Sequence, residues 1–166
     1  MSNSQENQTA RGYEEPHARQ FSLFLSGWLG QLKSLFDFLD REELEVVGFF
    51  VQDHDDWGLV RIVFADPGKA REKLTARNQP FTEAIMLLVE TPSQESHTEV
   101  LRLLLGAEIS VLTAYPMAAR SHLSPIIAFQ VSDPFLAEDI LIDHGFNLIG
   151  LEDRGSGNEC GRPDAS

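Results

Sequence analysis

The run Asp53-His54-Asp55-Asp56 places three carboxylates and an imidazole within four residues, donor types that bind divalent cations. Four adjacent side chains on a hairpin connection rarely converge, so a solvated turn is their expected role. His97, His122 and His144 are scattered, and no pair has the helical spacing of a metal-binding dyad. Ser121-His122 would supply a nucleophile and a base, but no acid stands where triad logic needs one. Trp28 could stack on a ligand; its expected role is to cap a helix or pack at an interface. Cys160 is the one cysteine, too few for an intramolecular disulfide or a thiolate zinc cage. Phosphate-loop, dinucleotide and zinc signatures are absent. The expectation is a chain with no catalytic residues, no metal and no cofactor.

Charge narrows the partners further. The 166 residues carry 26 acidic and 13 basic side chains, a formal net charge of −13. A nucleic-acid binder needs clustered Lys and Arg to displace counterions, and an anionic membrane surface would repel this chain. Neither nucleic acid nor membrane is expected as a partner. The polar start, Met1 to Gln8, has no apolar signal core. No apolar run approaches the roughly 20 residues that span a bilayer. A cytoplasmic location is the expectation.

The elements that must position any site follow from apolar spacing. Residues 1–18 and 154–166 are polar and rich in turn formers, and are expected to be a disordered arm and tail. Phe21, Leu23 and Leu25 share one face of a strand that ends in a turn at Gly27-Trp28-Leu29-Gly30. Leu32, Leu35, Phe36 and Leu39 make a helical stripe. Leu44 to Val51 and Leu59 to Ala65 read as a strand pair, the second with Val60, Ile62 and Phe64 on one face. Asp66-Pro67 opens a helix: the carboxylate caps a first-turn amide, and proline gives up a donor that lacked a partner. Phe81 to Glu90 reads as one long strand, or two segments that run together.

The order then returns. Glu95 to Leu105 is helical with Val100, Leu101 and Leu104 inward, Ile109 to Met117 and Leu123 to Val131 are strands, and Asp133-Pro134 opens another helix. Gly145 suits the left-handed position that ends it, and Phe146 to Leu151 is the closing strand. Asp66-Pro67-x-x-Ala70-x-x-x-Leu74 matches Asp133-Pro134-x-x-Ala137-x-x-x-Leu141. Leu35, Phe36 and Leu39 fall on Val100, Leu101 and Leu104. The expected fold is α+β: two ferredoxin-like βαββαβ units in tandem, over 19–82 and 83–153, antiparallel sheets with helices on one face. Phe49-Phe50-Val51 and Ile126-Ile127-Ala128 are apolar on both strand faces, so the second face is expected to be covered by the partner unit or another chain.

This pattern resembles the ACT domain, and two in succession across about residues 20–152 resemble the stand-alone tandem ACT proteins of bacteria. The stretches from Asp53 to Ala70 and from Glu99 to Leu104 are the most family-like. The resemblance implies a non-catalytic regulatory protein that binds a small effector, often an amino acid, between modules. It places the ligand at the loop after the first strand, here Ser26, Gly27, Trp28, Leu29, Gly30, Gln31 and Leu32, where amides at a helix N-terminus suit a carboxylate. Gly30 stands where the family's loop glycine is expected, whereas Gly27 replaces an Asn or Asp that grips the ligand in many relatives. The matching second loop, Thr91 to His97, has no glycine and carries Glu95. Tyr115 and Met117 would line the pocket between modules. The other function implied is a ligand-free interaction module, for example a regulatory subunit of an amino-acid biosynthetic enzyme such as acetolactate synthase. Apolar residues on both strand faces suggest a homodimer.

Overall fold

The computed structural model describes residues 17–26, 28–117 and 124–150, with only the backbone for Trp28 and Leu29. The elements are β1 (His17–Ser26), α1 (Trp28–Arg41), β2 (Val46–His54), β3 (Trp57–Phe64), α2 (Pro67–Ala76), β4 (Phe81–Glu90), α3 (Gln94–Gly106), β5 (Val111–Pro116), β6 (Ile126–Val131) and α4 (Pro134–Asp143).

The two Asp-Pro starts form as their chemistry requires. Asp66 Oδ1 accepts from the Lys69 amide at 2.8 Å, and Asp133 Oδ1 from the Leu136 amide at 3.0 Å. Ala70, Leu74, Ala137 and Leu141 are fully buried beneath the helices they open. Gly145, at φ +82°, takes the left-handed position after α4, and the Phe146 amide returns to the Leu141 carbonyl. The Asp53–Asp56 run is a tight hairpin: His54 pairs with Trp57, and Asp55 adopts φ 51°, which aspartate tolerates.

The strands form one six-stranded antiparallel sheet, ordered β2-β3-β1-β4-β6-β5. Phe81–Glu90 is a single strand, which decides between the two readings of that segment. Residues 81–87 of β4 pair with β1, and residues 87–90 pair with β6 on the other edge. The first four strands have the ferredoxin-like order. Near the end of β4, Val89 bridges Leu148 on the stretch of the β1 edge that β1 leaves free. Among the described residues, the closing strand expected over Phe146–Leu151 is reduced to that bridge. The reason is space: β1 already occupies this edge of β4 as far as Leu87, and only its last residues remain.

Three further expectations are corrected. β1 starts at His17, inside the segment expected to be an arm, because Ala18 is fully buried opposite Met86. Helix α1 starts at Trp28, where a turn through Gly30 was expected. A side chain at Gly30 would meet nothing within 4 Å, so nothing in the packing there requires a glycine turn. On α3, Leu101 faces outward at 49% exposed and Leu103 takes the inward place. The inward set Val100, Leu103, Leu104 has the i, i+3, i+4 spacing of a single stripe, and it repeats Leu35, Phe38, Leu39 of α1.

The core has three parts. Helices α1 and α2 close over Phe21, Leu23, Leu25, Val60 and Ile62. Helices α3 and α4 close over Leu87, Val89, Phe129 and Val131. Phe81, Leu87 and Val89 alternate on one face of β4, so all four helices lie on one face of the sheet. The third part lies on the opposite face and contains no helical residue: Ala18, Val63, Met86, Leu88, Tyr115, Met117 and Ala128 are among its members. There the sheet curls until its two terminal strands meet. A Cβ on Gly48 of β2 would lie 2.6 Å from Met117 Sδ, just beyond β5, and Phe50 stacks on Tyr115 at 6.1 Å. One end of the second face is thus covered by the chain's own other half.

Candidate functional site

The junction of β1 and α1 is where the ligand loop was expected. Ser26 ends β1 opposite Trp57, and α1 runs from Trp28 for 14 residues. Its first turn carries no acidic side chain, so its N-terminal partial positive charge is not offset from within the helix. Gly27 lies outside the described residues, and Trp28 and Leu29 are placed by their backbone on the first turn. Gly30 is exposed on the helix. Gln31 Nε2 reaches the Ser26 hydroxyl at 3.5 Å, across the strand-to-helix step. Leu32 turns inward and packs against the core beneath α1 and α2.

The corresponding start of α3 differs. Ser93 caps it, its hydroxyl accepting from the Ser96 amide at 3.2 Å, and Glu95 puts a negative charge in the first turn. An anionic ligand there would compete with both. His97 Nε2 lies 3.1 Å from Thr91 Oγ1, and the Thr91 hydroxyl and amide both donate to the Pro125 carbonyl. The histidine is taken up in holding this loop.

Tyr115 and Met117 lie elsewhere. Both are buried on the curled face, Tyr115 at 5% and Met117 at 6% exposed. The Tyr115 hydroxyl donates to Gln20 Oε1 at 2.9 Å, and Gln20 Nε2 donates to Gln130 Oε1 at 3.1 Å. This chain of bonds ties β5 to β1 and β1 to β6. Burial pushes the Tyr115 phenol well above its ordinary pKa, against a smaller opposing pull from the Arg61 charge. Gln20 and Ser26 are six residues apart on one strand, about 20 Å. The structure therefore does not bring Tyr115 and Met117 to the β1–α1 junction.

A buried pair went unrecognised in the sequence. His17 Nε2 lies 2.7 Å from Glu138 Oε2, with the Glu138 side chain fully buried on α4 and the Phe135 ring edge-on to the imidazole. A glutamate on the inward stripe beside Ala137 and Leu141 was the available signal, since a buried carboxylate needs a partner. Among the described residues no group of three or more His, Cys, Asp or Glu side chains could hold a metal ion. Ser121-His122 and Cys160 lie outside the described residues. No described helix is long and apolar enough to cross a membrane.

No protein-family model matches this sequence, and no curated protein matches it. Solved structures do. A protein from Bacteroides thetaiotaomicron is 20% identical with a TM-score of 0.75, over 82% of this chain and 94% of that one. The regulatory subunit of aspartate kinase from Thermus thermophilus, in its ligand-free form, is 10% identical with a TM-score of 0.52, over 78% and 93%. A structure of aspartokinase alpha and beta subunits is 11% identical with a TM-score of 0.51, over 78% and 93%. What the chain shares with them is the fold: an ACT-like, ferredoxin-like antiparallel sheet carrying its helices on one face.

Proposed function

We propose that this chain is a non-catalytic regulatory protein built from two ACT modules in tandem, residues 19–82 and 83–153, joined through β4. Its effector is a small molecule carrying a carboxylate, an amino acid by class, held at the β1–α1 junction by residues 27–32. The observation that carries this reading is the likeness to the aspartate kinase regulatory subunit, which extends over 93% of that chain. The asymmetry of the two helix starts supports the choice of site, since α1 opens without a first-turn acid and α3 opens on Glu95. Tyr115 and Met117 would then transmit between halves rather than touch the ligand. Effector binding shifts a balance between arrangements by no more than its differential affinity for them.

The test is a thermal-shift screen of the purified chain against the amino acids at millimolar concentration. A ligand at 100 times its dissociation constant adds about 2.7 kcal/mol of stability, a visible rise in midpoint. The expected result is a rise with one amino acid or a related few, lost in a Gly30→Asp variant whose own midpoint is unchanged. No rise with any of them would overturn effector binding by the isolated chain.

A second reading has its own observation. Leu101, Leu105, Val111 and Leu112 stand exposed together along α3 and β5, beside a groove of about 660 Å³. Such a patch suits a partner protein: a second copy, or a biosynthetic enzyme of the acetolactate synthase kind served by a ligand-free module. In that case the thermal screen is silent, and a Leu105→Glu variant loses association measured by sedimentation.

A further inference from the structure

The sheet face opposite the helices is covered at one end only. Tyr115 and Met117 sit over the row of Gly48, Val63 and Gln20. In the next row, Phe50, Arg61 and Ser22 are cross-strand neighbours on the same face. Leu59 and Phe24 follow, then His54 and Trp57. This half is open among the described residues: Phe24 is 54% exposed, and Phe50 and Trp57 are 38% each. Its rings are ordered against one another. Trp57 stacks on His54 at 4.2 Å and 17° and lies 5.5 Å from Phe24, while Phe50 stacks on Tyr115 at the covered margin.

Arg61 stands half-buried on β3, between Phe50 and Ser22. The chain has twice as many acids as bases. Yet among the described residues Arg61 makes no ion pair, side-chain hydrogen bond or cation–π contact, while Arg71 and Arg102 are each matched to a glutamate. A half-buried guanidinium without an anion, with Phe50 as its cross-strand neighbour, is complementary to a planar group bearing one carboxylate.

We propose that this open half-face binds a small aromatic carboxylate, its ring against Phe24 and Phe50 in the rows nearest Arg61 and its carboxylate on the Arg61 guanidinium. The rows of Arg61 and of Phe24 contain no acidic side chain to receive an ammonium group, so the ligand is an aryl acid without one, not an amino acid. Its single charge matters too. A polyanion such as a nucleic acid meets the repulsion of the whole acidic chain. The site is separate from the β1–α1 junction and does not rest on the effector reading there.

The test is titration of the full chain with phenylacetate, followed by calorimetry and by tryptophan fluorescence. Saturable binding at millimolar concentration or tighter is expected, with phenylalanine, acetate and benzyl alcohol at least about tenfold weaker. Arg61→Gln should weaken phenylacetate by at least about tenfold while Arg61→Lys recovers part of the loss, as removal and retention of a charge-assisted bond require. Among the described residues Arg61 makes no ion pair or side-chain hydrogen bond, so its variants should keep the parent thermal midpoint. Phe24→Ser, at the most exposed ring, supplies an independent loss of affinity. Absence of saturable binding, equal affinity in Arg61→Gln, or a preference for phenylalanine would overturn the proposal. So would a dimer that buries Trp57 and excludes phenylacetate, or a single-stranded oligonucleotide that outcompetes it.

Discussion

Tyr115 stands at one end of a buried polar chain that runs through Gln20 to Gln130, and each member depends on the next. Tyr115→Phe leaves Gln20 Oε1 without this donor in a fully buried position, which should cost about 1–3 kcal/mol in urea unfolding. The phenol also links stability to pH. Its pKa is raised in the fold, so the neutral form is the one the fold holds. The stabilisation is complete below the unfolded value near pH 10 and is lost as pH rises toward the folded one. In a Tyr13→Phe variant, which leaves Tyr115 as the sole tyrosine, phenolate absorbance should therefore appear only with alkaline unfolding. Phenolate appearing near pH 10 in the folded protein would contradict that burial. Gly48 makes a different prediction. A Cβ there would press on Met117 Sδ, so Gly48→Val should cost about 1–3 kcal/mol from overpacking. The cost should be smaller in a Met117→Ala background, a coupling readable by a double-mutant cycle. Burial of Tyr115 and Met117 was legible from their place in an apolar strand. That Gly48 would face them was not, because the two strands lie at opposite ends of the sheet order and meet only through its curl.

The helices are the most local part of the fold, and the best read. Each Asp-Pro start satisfies its amide within three residues, which needs nothing from the rest of the chain. Asp66→Ala and Asp133→Ala should each lower stability by about 1 kcal/mol, and the two losses should add, since the caps share no partner. The stripe of α3 was misread by one place, and substitution separates the two assignments. Leu104→Ala should cost about 2–5 kcal/mol and Leu101→Ala well under 1 kcal/mol, both measured by denaturant midpoint. Leucine occupies 101, 103, 104 and 105, so hydropathy alone leaves the stripe's angle open by one residue. Contact with Val100 and the sheet settles it.

At the scale of the molecule, β4 is the shared member. It pairs with β1 along most of its length and with β6 at its end, and its Met86 and Leu88 enter the face that both halves cover. A strand common to both halves should make them unfold together. Leu88→Ala is expected to cost about 2–5 kcal/mol. Far-ultraviolet dichroism and tryptophan fluorescence should still report one coincident transition, and separate midpoints would show that the halves are independent units. The order of strands and helices from β1 to α4 was legible from spacing and from the repeated Asp-Pro motif. The placement of the candidate residues was not. The family resemblance implied ligand contacts from both Gly27 to Leu32 and Tyr115 and Met117, whereas the length of β1 between Gln20 and Ser26 separates the two groups by about 20 Å.

What the sequence by itself determined is local: the helix caps at Asp66 and Asp133, the glycine stop at Gly145, the alternation of Val60, Ile62 and Phe64, and an acidic charge that disfavours polyanions. These depend on neighbours a few residues away, and their chemistry is complete within a turn or a strand. Only the tertiary structure decided that Phe81–Glu90 is one strand serving two edges, that Leu148 is left a single bridge, and that β2 and β5 meet over the second face. It also decided that Arg61 lies across from Phe50 and, among the described residues, forms no ion pair. These outcomes join residues tens of positions apart. They are set by which edge of the sheet is already occupied and how far it twists, quantities no local spacing contains.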